Sequence, residues 1–246
     1  MRADRVARRF TTPMTSPAYP PGLYRFTNRE YLNITYRTDP DALREAVPEP
    51  LEIDEPLVRF EIMKMEDVEG YGPYTEGGQA IPVRFGDEKG EYLHAMYLDN
   101  FAATASGREL SAYPKVMGEP LLRVEQGALI GTIDATSERV ATATMGYQQR
   151  PLDHEEAKRQ ITVPTYMLKV VRGYGGKPMI CDLVRTEITD IEVTGAWTGP
   201  ARLQLFEHVL APLADLPVLE VVSASHIMTN LTLSGVTPIH SYLQEN

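Results

Sequence analysis

Cysteine is almost absent. The 246 residues hold one, Cys181, which rules out an internal disulfide framework and fits a reducing compartment. It lies in the apolar run Met179-Ile180-Cys181, where a small core residue is a better reading than a nucleophile. Histidine is scarce too: His94, His154, His208, His226 and His240 are scattered, with neither HExxH nor CxxC spacing, so no metal site is expected. Lys and Arg, 24 in all, are outnumbered by 34 Asp and Glu, and the net charge of −10 argues against a nucleic-acid or anionic-membrane surface. An anionic substrate must therefore be drawn in by a local positive site. No stretch approaches a membrane span. The N-terminal MRADRVARRF carries four arginines but no apolar core for a signal peptide, so a solvated arm or subunit contact and a cytoplasmic location are expected. With no repeat, low-complexity tract or linker, residues 1–246 are expected to form a single domain.

The chain is 43% hydrophobic and 24% charged, as suits a globular protein with a sizeable core. Residues 11–22 hold four prolines and suit an extended arm. Asn28–Arg37 alternates like a half-buried strand. Asp39-Pro40-Asp41 opens a helix over ALREAV, which Pro48 and Pro50 stop. Leu57–Met65 reads as a strand with Val58, Phe60 and Ile62 on one face and Arg59, Glu61, Met63 and Met65 on the other. Gly70–Gly78 reads as a flexible loop carrying Glu76; its Gly-x-Gly spacing is no phosphate loop, because the AIPVRF that follows is strand-like. Ile81–Phe85 with Glu91–Leu98, and Ala128–Asp134 with Arg139–Tyr147, suit hairpins. Further strands are expected at Thr165–Val171, Ile180–Val193 and Leu219–Leu233, the last long enough to contain a bulge. Helices are expected at Asp153–Gln160 and at Arg202–Leu210, where Leu203, Phe206 and Leu210 share a face. The class is β-rich α+β: a mostly antiparallel barrel, closed or nearly so around an apolar pocket, with a few short peripheral helices.

One stretch stands apart. Gly107–Pro120, GRELSAYPKVMGEP, sets Arg108, Glu109 and Tyr113 close to Lys115 between two prolines. If 110–116 is extended, Ser111, Tyr113 and Lys115 share a face, which puts an aromatic ring beside the amine. Such a lysine could be a nucleophile toward a keto acid or a surface residue in a Pro-bounded turn. An ordinary lysine, with a pKa near 10.4, is neutral in only about one molecule in 2,500 at pH 7. Nucleophilic use needs roughly three to four units of depression, or about 4–5 kcal/mol. An apolar pocket or a neighbouring cation can supply it.

The segments TSPAYPPGLYRFTNREYLNITYRTD, VPEPLEIDEPLVRFEIM, YTEGGQAIPV, YLHAMYLDN, GRELSAYPK, RVATATMGY, AWTGPARLQLFEH and APLADLPV, in this order, resemble the acetoacetate decarboxylase family along nearly the whole chain. That family is itself a standard illustration of a lysine activated by desolvation or by a nearby cation, so this chemistry comes with the resemblance and not from the spacing. The resemblance implies a cone-shaped barrel, a large homo-oligomer, and conversion of acetoacetate to acetone and carbon dioxide without metal or cofactor. It also implies that Lys115 forms a Schiff base and that Arg29 in NREY, Glu61 in RFEIM and Glu76 in YTEGGQ share the site. An aldolase, a dehydratase or a decarboxylase of another keto acid on the same fold is the alternative. One departure is Val116, which stands where the best-known family member has a second lysine. Adjacent residues of an extended chain face opposite ways, so the expectation is that desolvation activates Lys115.

Within that frame Arg29 either meets the substrate carboxylate or organises the glutamates. Glu76 is the expected proton carrier. Glu61, beside two methionines, needs a partner, and Arg29 is the expected one. Tyr113, Met96 and Phe26 are the candidate pocket wall. Arg108 and Glu109 are expected to fix the loop. The expected partner is a small keto acid, with no nucleic acid and no membrane.

Overall fold

The computed structural model describes residues 1–243. Strands dominate, with few short helices. The larger sheet has eleven strands: β1 (Tyr24–Arg37), β2 (Leu57–Val68), β3 (Tyr74–Phe85), β4 (Glu88–Leu98), β5 (Lys115–Met117), β9 (Arg150–Pro151), β10 (Thr165–Arg172), β11 (Pro178–Thr186), β12 (Ile188–Thr198), β14 (Glu220–Leu233) and β15 (Thr237–Ser241). Its order is β15-β11-β10-β4-β3-β2-β1-β14-β12-β9, with β5 pairing to β4 off this path. The smaller sheet, β13-β8-β7-β6, comprises β6 (Glu119–Glu125), β7 (Ala128–Ala135), β8 (Glu138–Gly146) and β13 (Ala201–Leu205). The helices are α1 (Ala3–Val6), α2 (Pro40–Ala46), α3 (Phe101–Glu109) and α4 (His154–Ile161).

The expected closed barrel is not formed. Among the described residues no ladder joins β15 to β9, so the large sheet curls but stays open, and a second sheet covers one of its faces. Two buried clusters follow from the two faces. One joins Leu32, Ile34, Val58, Phe60 and Ile62 to Leu129, Ile133 and Val140 of the small sheet. The other, on the opposite face, gathers Phe26, Tyr31, Met63, Met65, Met96 and Leu98 with Ala103 of α3 and Ile161 of α4. The strict alternation of β2 serves both clusters at once, as its sequence predicts.

Local rules account for the helices that were expected. The Asp39 carboxylate accepts from the Asp41 and Ala42 amides at the start of α2, and Asp153 accepts from the Glu156 amide at the start of α4. The differences also have causes. Arg202–Leu210 is not a helix: Ala201–Leu205 pairs with Ala141–Met145 at the free edge of β8, and the ladder satisfies a backbone that an isolated turn or two of helix could not hold. Ile180–Val193 is two strands parted at Glu187. The Gly70–Gly78 segment enters β3 at Tyr74, so Glu76 is a strand residue and not a loop one. Its glycines disguise the strand, but a Cβ on Gly78 would lie 1.8 Å from the Ala95 carbonyl oxygen, so β4 could approach no other residue this closely. Helix α3 is a further departure from expectation: it takes up Gly107–Glu109, and the chain is extended again only from Lys115.

Two irregularities set what the inner face presents. Along β4, Gln79 opposes Ala95 while Ala80 opposes Leu93, so His94 is an extra residue, a bulge. Side-chain parity reverses there: Leu93 and Met96 lie in the same buried cluster, and Tyr92 and Ala95 in the other. In β1 a register shift lies between Phe26 and Arg29, where Asn28 adopts a φ of 52°. Phe26 and Arg29, three residues apart, then face the same side.

Candidate active site

That shared side is a cavity of about 80 Å3 lined by β1 to β5, the end of α4 and the chain leading into β10. All seven residues singled out from the sequence line it: Phe26, Arg29, Glu61, Glu76, Met96, Tyr113 and Lys115. They converge by register. Met63 of β2 opposes Glu76 of β3, and Met96 of β4 opposes Lys115 of β5.

Lys115 heads a three-residue strand that pairs in parallel with β4. Its position is fixed through the backbone, since the Arg108 guanidinium donates to its carbonyl at 3.0 Å. The Lys169 ammonium donates to the carbonyls of Arg108 at 2.6 Å and Glu109 at 2.7 Å, and also to that of Ser111. Arg108 thus fixes the loop, as expected; Glu109 anchors it by accepting from Tyr19 and Thr11. The lysine stem lies against Gly107 of α3, where a Cβ would come 2.8 Å from Cδ. Its side chain is only 8% exposed. The Tyr113 and Tyr74 rings flank Nζ at 5.2 and 5.7 Å to their centroids. Val116, by contrast, is 49% exposed and turned away from the cavity.

Glu76 is the hub. One carboxylate oxygen is 3.1 Å from Lys115 Nζ and the other is 3.4 Å from the Arg29 guanidinium. Arg29 lies over the Phe26 and Tyr31 rings and against the Met63 sulfur. Burial works to lower its pKa, but Tyr31, Glu76, Tyr74 and Glu61 together hold it above its ordinary value. Burial pushes the Tyr74 and Tyr113 phenols up, so both present neutral hydroxyls at physiological pH.

Glu61 does not pair with Arg29. Its partner is Arg59, two residues back on the same face of β2, at 3.3 Å. Arg29 is already engaged by Glu76, and Arg59 lies nearer along the strand. Arg59 is also bound by Glu91 of β4 and donates to the Gln160 carbonyl at 2.8 Å. Burial, with Glu61 adding and Arg59 opposing, pushes the Glu91 carboxyl up to about 7. Arg59 and Glu91 are site residues that sequence reasoning did not single out. Alternation already placed Arg59 beside Glu61; Glu91 had no such signal, because the His94 bulge turns it inward.

The arrangement is a pocket with a buried primary amine, a carboxylate in contact with it, and arginines able to meet an anion. It suits condensation of the amine with a carbonyl. The family model described as Acetoacetate decarboxylase (ADC) matches residues 9–243. The acetoacetate decarboxylase of Streptomyces nogalater is 60% identical over 243 residues, which span 99% of this chain and 100% of the relative. That of Clostridium acetobutylicum is 60% identical over 244 residues, with the same two shares. A solved acetoacetate decarboxylase structure, 60% identical, matches with a TM-score of 0.97 over 99% of this chain and 100% of its own.

Proposed function

The chain belongs to the acetoacetate decarboxylase family and converts acetoacetate to acetone and carbon dioxide; we propose that it does so through a Schiff base on Lys115. The contact that carries this reading is Glu76 Oε at 3.1 Å from a buried Lys115 Nζ, between two aromatic rings. The contact puts a carboxylate within reach of the amine, where it can exchange protons with the adduct that the amine forms.

The chemistry then runs on these side chains alone. Neutral Nζ attacks the ketone carbon, and the resulting carbinolamine loses its hydroxyl as water once a proton is delivered to that oxygen. Glu76 is placed to take the proton from nitrogen and return it to oxygen. The product is an iminium whose nitrogen withdraws electrons from the carbon bearing the carboxylate. The C–C bond breaks, carbon dioxide leaves, and the electron pair becomes an enamine. Protonation on carbon restores the iminium, and water hydrolyses it to acetone and the free lysine. Arg29 holds Glu76 in place and faces the cavity the substrate carboxylate enters. An over-tight grip on that carboxylate would stabilise the ground state, and pairing with Glu76 tempers it. The buried setting of the amine favours a step that discharges a carboxylate. Activation comes from exclusion of water and not from residue 116, which lies outside.

Residues 1–246 act as one domain in this reading, as a homo-oligomer in the cytoplasm. The exposed Leu121 and Val124 support subunit contacts at β6. No helix among the described residues is long and apolar enough to cross a membrane.

Borohydride reduction during turnover of acetoacetate tests the mechanism. A mass increment on the peptide containing Lys115 is expected, and Lys115→Ala should lose both the adduct and turnover. An adduct on another lysine, or turnover by the alanine variant, would overturn it.

A further inference from the structure

In the same cavity as the Lys115–Glu76 contact, one guanidinium serves two carboxylates. Arg59 lies 3.3 Å from Glu61 and is hydrogen-bonded to Glu91, and all three line the pocket. Gln160 at the end of α4 takes a further Arg59 donor through its carbonyl, so the guanidinium is anchored while the two acids compete for it. The other charged groups facing the same space are Arg29 from β1, Glu76 from β3 and Lys115 from β5. Tyr31, Tyr74 and Tyr113 face it as phenols, while Ile161 at the end of α4, Val163 and Thr165 at the start of β10 present no charge. Into this space an anion must come. Two like charges sharing one partner in a dry site cannot both stay ionised cheaply.

We propose that Glu91 is a positioning residue for the reaction: on taking a proton it yields Arg59 to Glu61 and removes one negative charge facing the incoming acetoacetate carboxylate. The inference rests on the reading of this cavity as the place where acetoacetate reacts. No atoms are exchanged with substrate in this role; the proton comes from solvent as the anion binds and returns when carbon dioxide has left. The geometry gives the acid its function, and its pKa of about 7 makes that function reachable near neutrality. The sign is fixed by the raised value. Below it Glu91 is neutral, Arg59 belongs to Glu61 and the anion is admitted; above it a third carboxylate is charged and KM rises.

The test is the KM for acetoacetate as a function of pH, with kcat followed separately. If the bound anion shifts Glu91 by one pKa unit, KM should rise by about fivefold between about pH 6 and pH 8, toward a limit of about tenfold at higher pH. Glu91→Gln, which cannot titrate, should show one KM across that range, and Glu91→Asp should keep the rise. A Glu91→Gln enzyme whose KM climbs like the parent's would overturn the proposal. So would a flat KM in the parent enzyme, a result that needs no variant to fold. Borohydride trapping on the parent separates the two levels. No adduct on Lys115 removes the proposed mechanism, whereas an adduct together with a pH-indifferent KM removes only the role of Glu91.

Discussion

Nζ of Lys115 reaches Glu76 because the residue beneath its stem has no side chain. Gly107 lies inside α3, where a Cβ would meet Lys115 Cδ at 2.8 Å and Cε at 3.2 Å. Gly107→Ala therefore isolates positioning from folding. Alanine gains up to about 1 kcal/mol over glycine in a helix interior, so thermal unfolding should show a fold no less stable apart from the local crowding. Displacing the amine by a fraction of an ångström to an ångström should lower kcat by about ten- to a hundredfold. An unchanged kcat would show that the lysine stem has room the contacts deny. At this scale the resemblance names residues and not partners. Lys115, Glu76, Arg29 and Glu61 line one cavity, yet the expected Glu61–Arg29 pair gives way to Glu61–Arg59, since pairing depends on which strands are neighbours and what Arg29 already holds.

Strand β5 is three residues long, and its alternation decides what a neighbour of the nucleophile can do. Lys115 is buried while Val116 is 49% exposed. Val116→Lys places a second ammonium on the outside, where solvent screens it over about 8–10 Å. Steady-state assays of this variant should give kcat and kcat/KM within about twofold of the parent, because a screened outer charge adds little to a buried site. A large gain would show that the missing cation matters. Alternation made β2, its two faces and the hairpins legible. It failed where a competing demand won. Gly77 and Gly78 made β3 look like a loop, although close approach of β4 is what requires Gly78. Residues 201–205 had helical spacing but met the open edge of β8. The bulge at His94 broke the period on which any assignment of Glu91 depended.

The whole molecule is acidic, and its substrate is an anion. A net charge of −10 repels acetoacetate at long range, leaving attraction to the arginines and the lysine inside the pocket. Raising salt should weaken the repulsion more than the buried contacts, so kcat/KM should rise by about twofold between about 10 and 200 mM salt. A fall instead would point to steering by an exposed positive patch. The β-rich class could be read from composition and pattern. Closure could not: whether the outer strands of a curling sheet meet is settled by twist and by where the second sheet lands, and neither is written in any local stretch. Within that larger form, the bulge of β4 works like a frameshift. Before His94 the odd-numbered side chains, Glu91 and Leu93, are addressed to the cavity wall, and by count alone the odd ones would stay there; one inserted residue resets the frame so that the even-numbered Met96 takes that wall. Glu91 and Met96, odd and even, thereby read out on the same wall as Lys115. A deletion at 94 would leave the strand, the ladder and the composition nearly intact while sending Glu91 toward the apolar cluster under the second sheet.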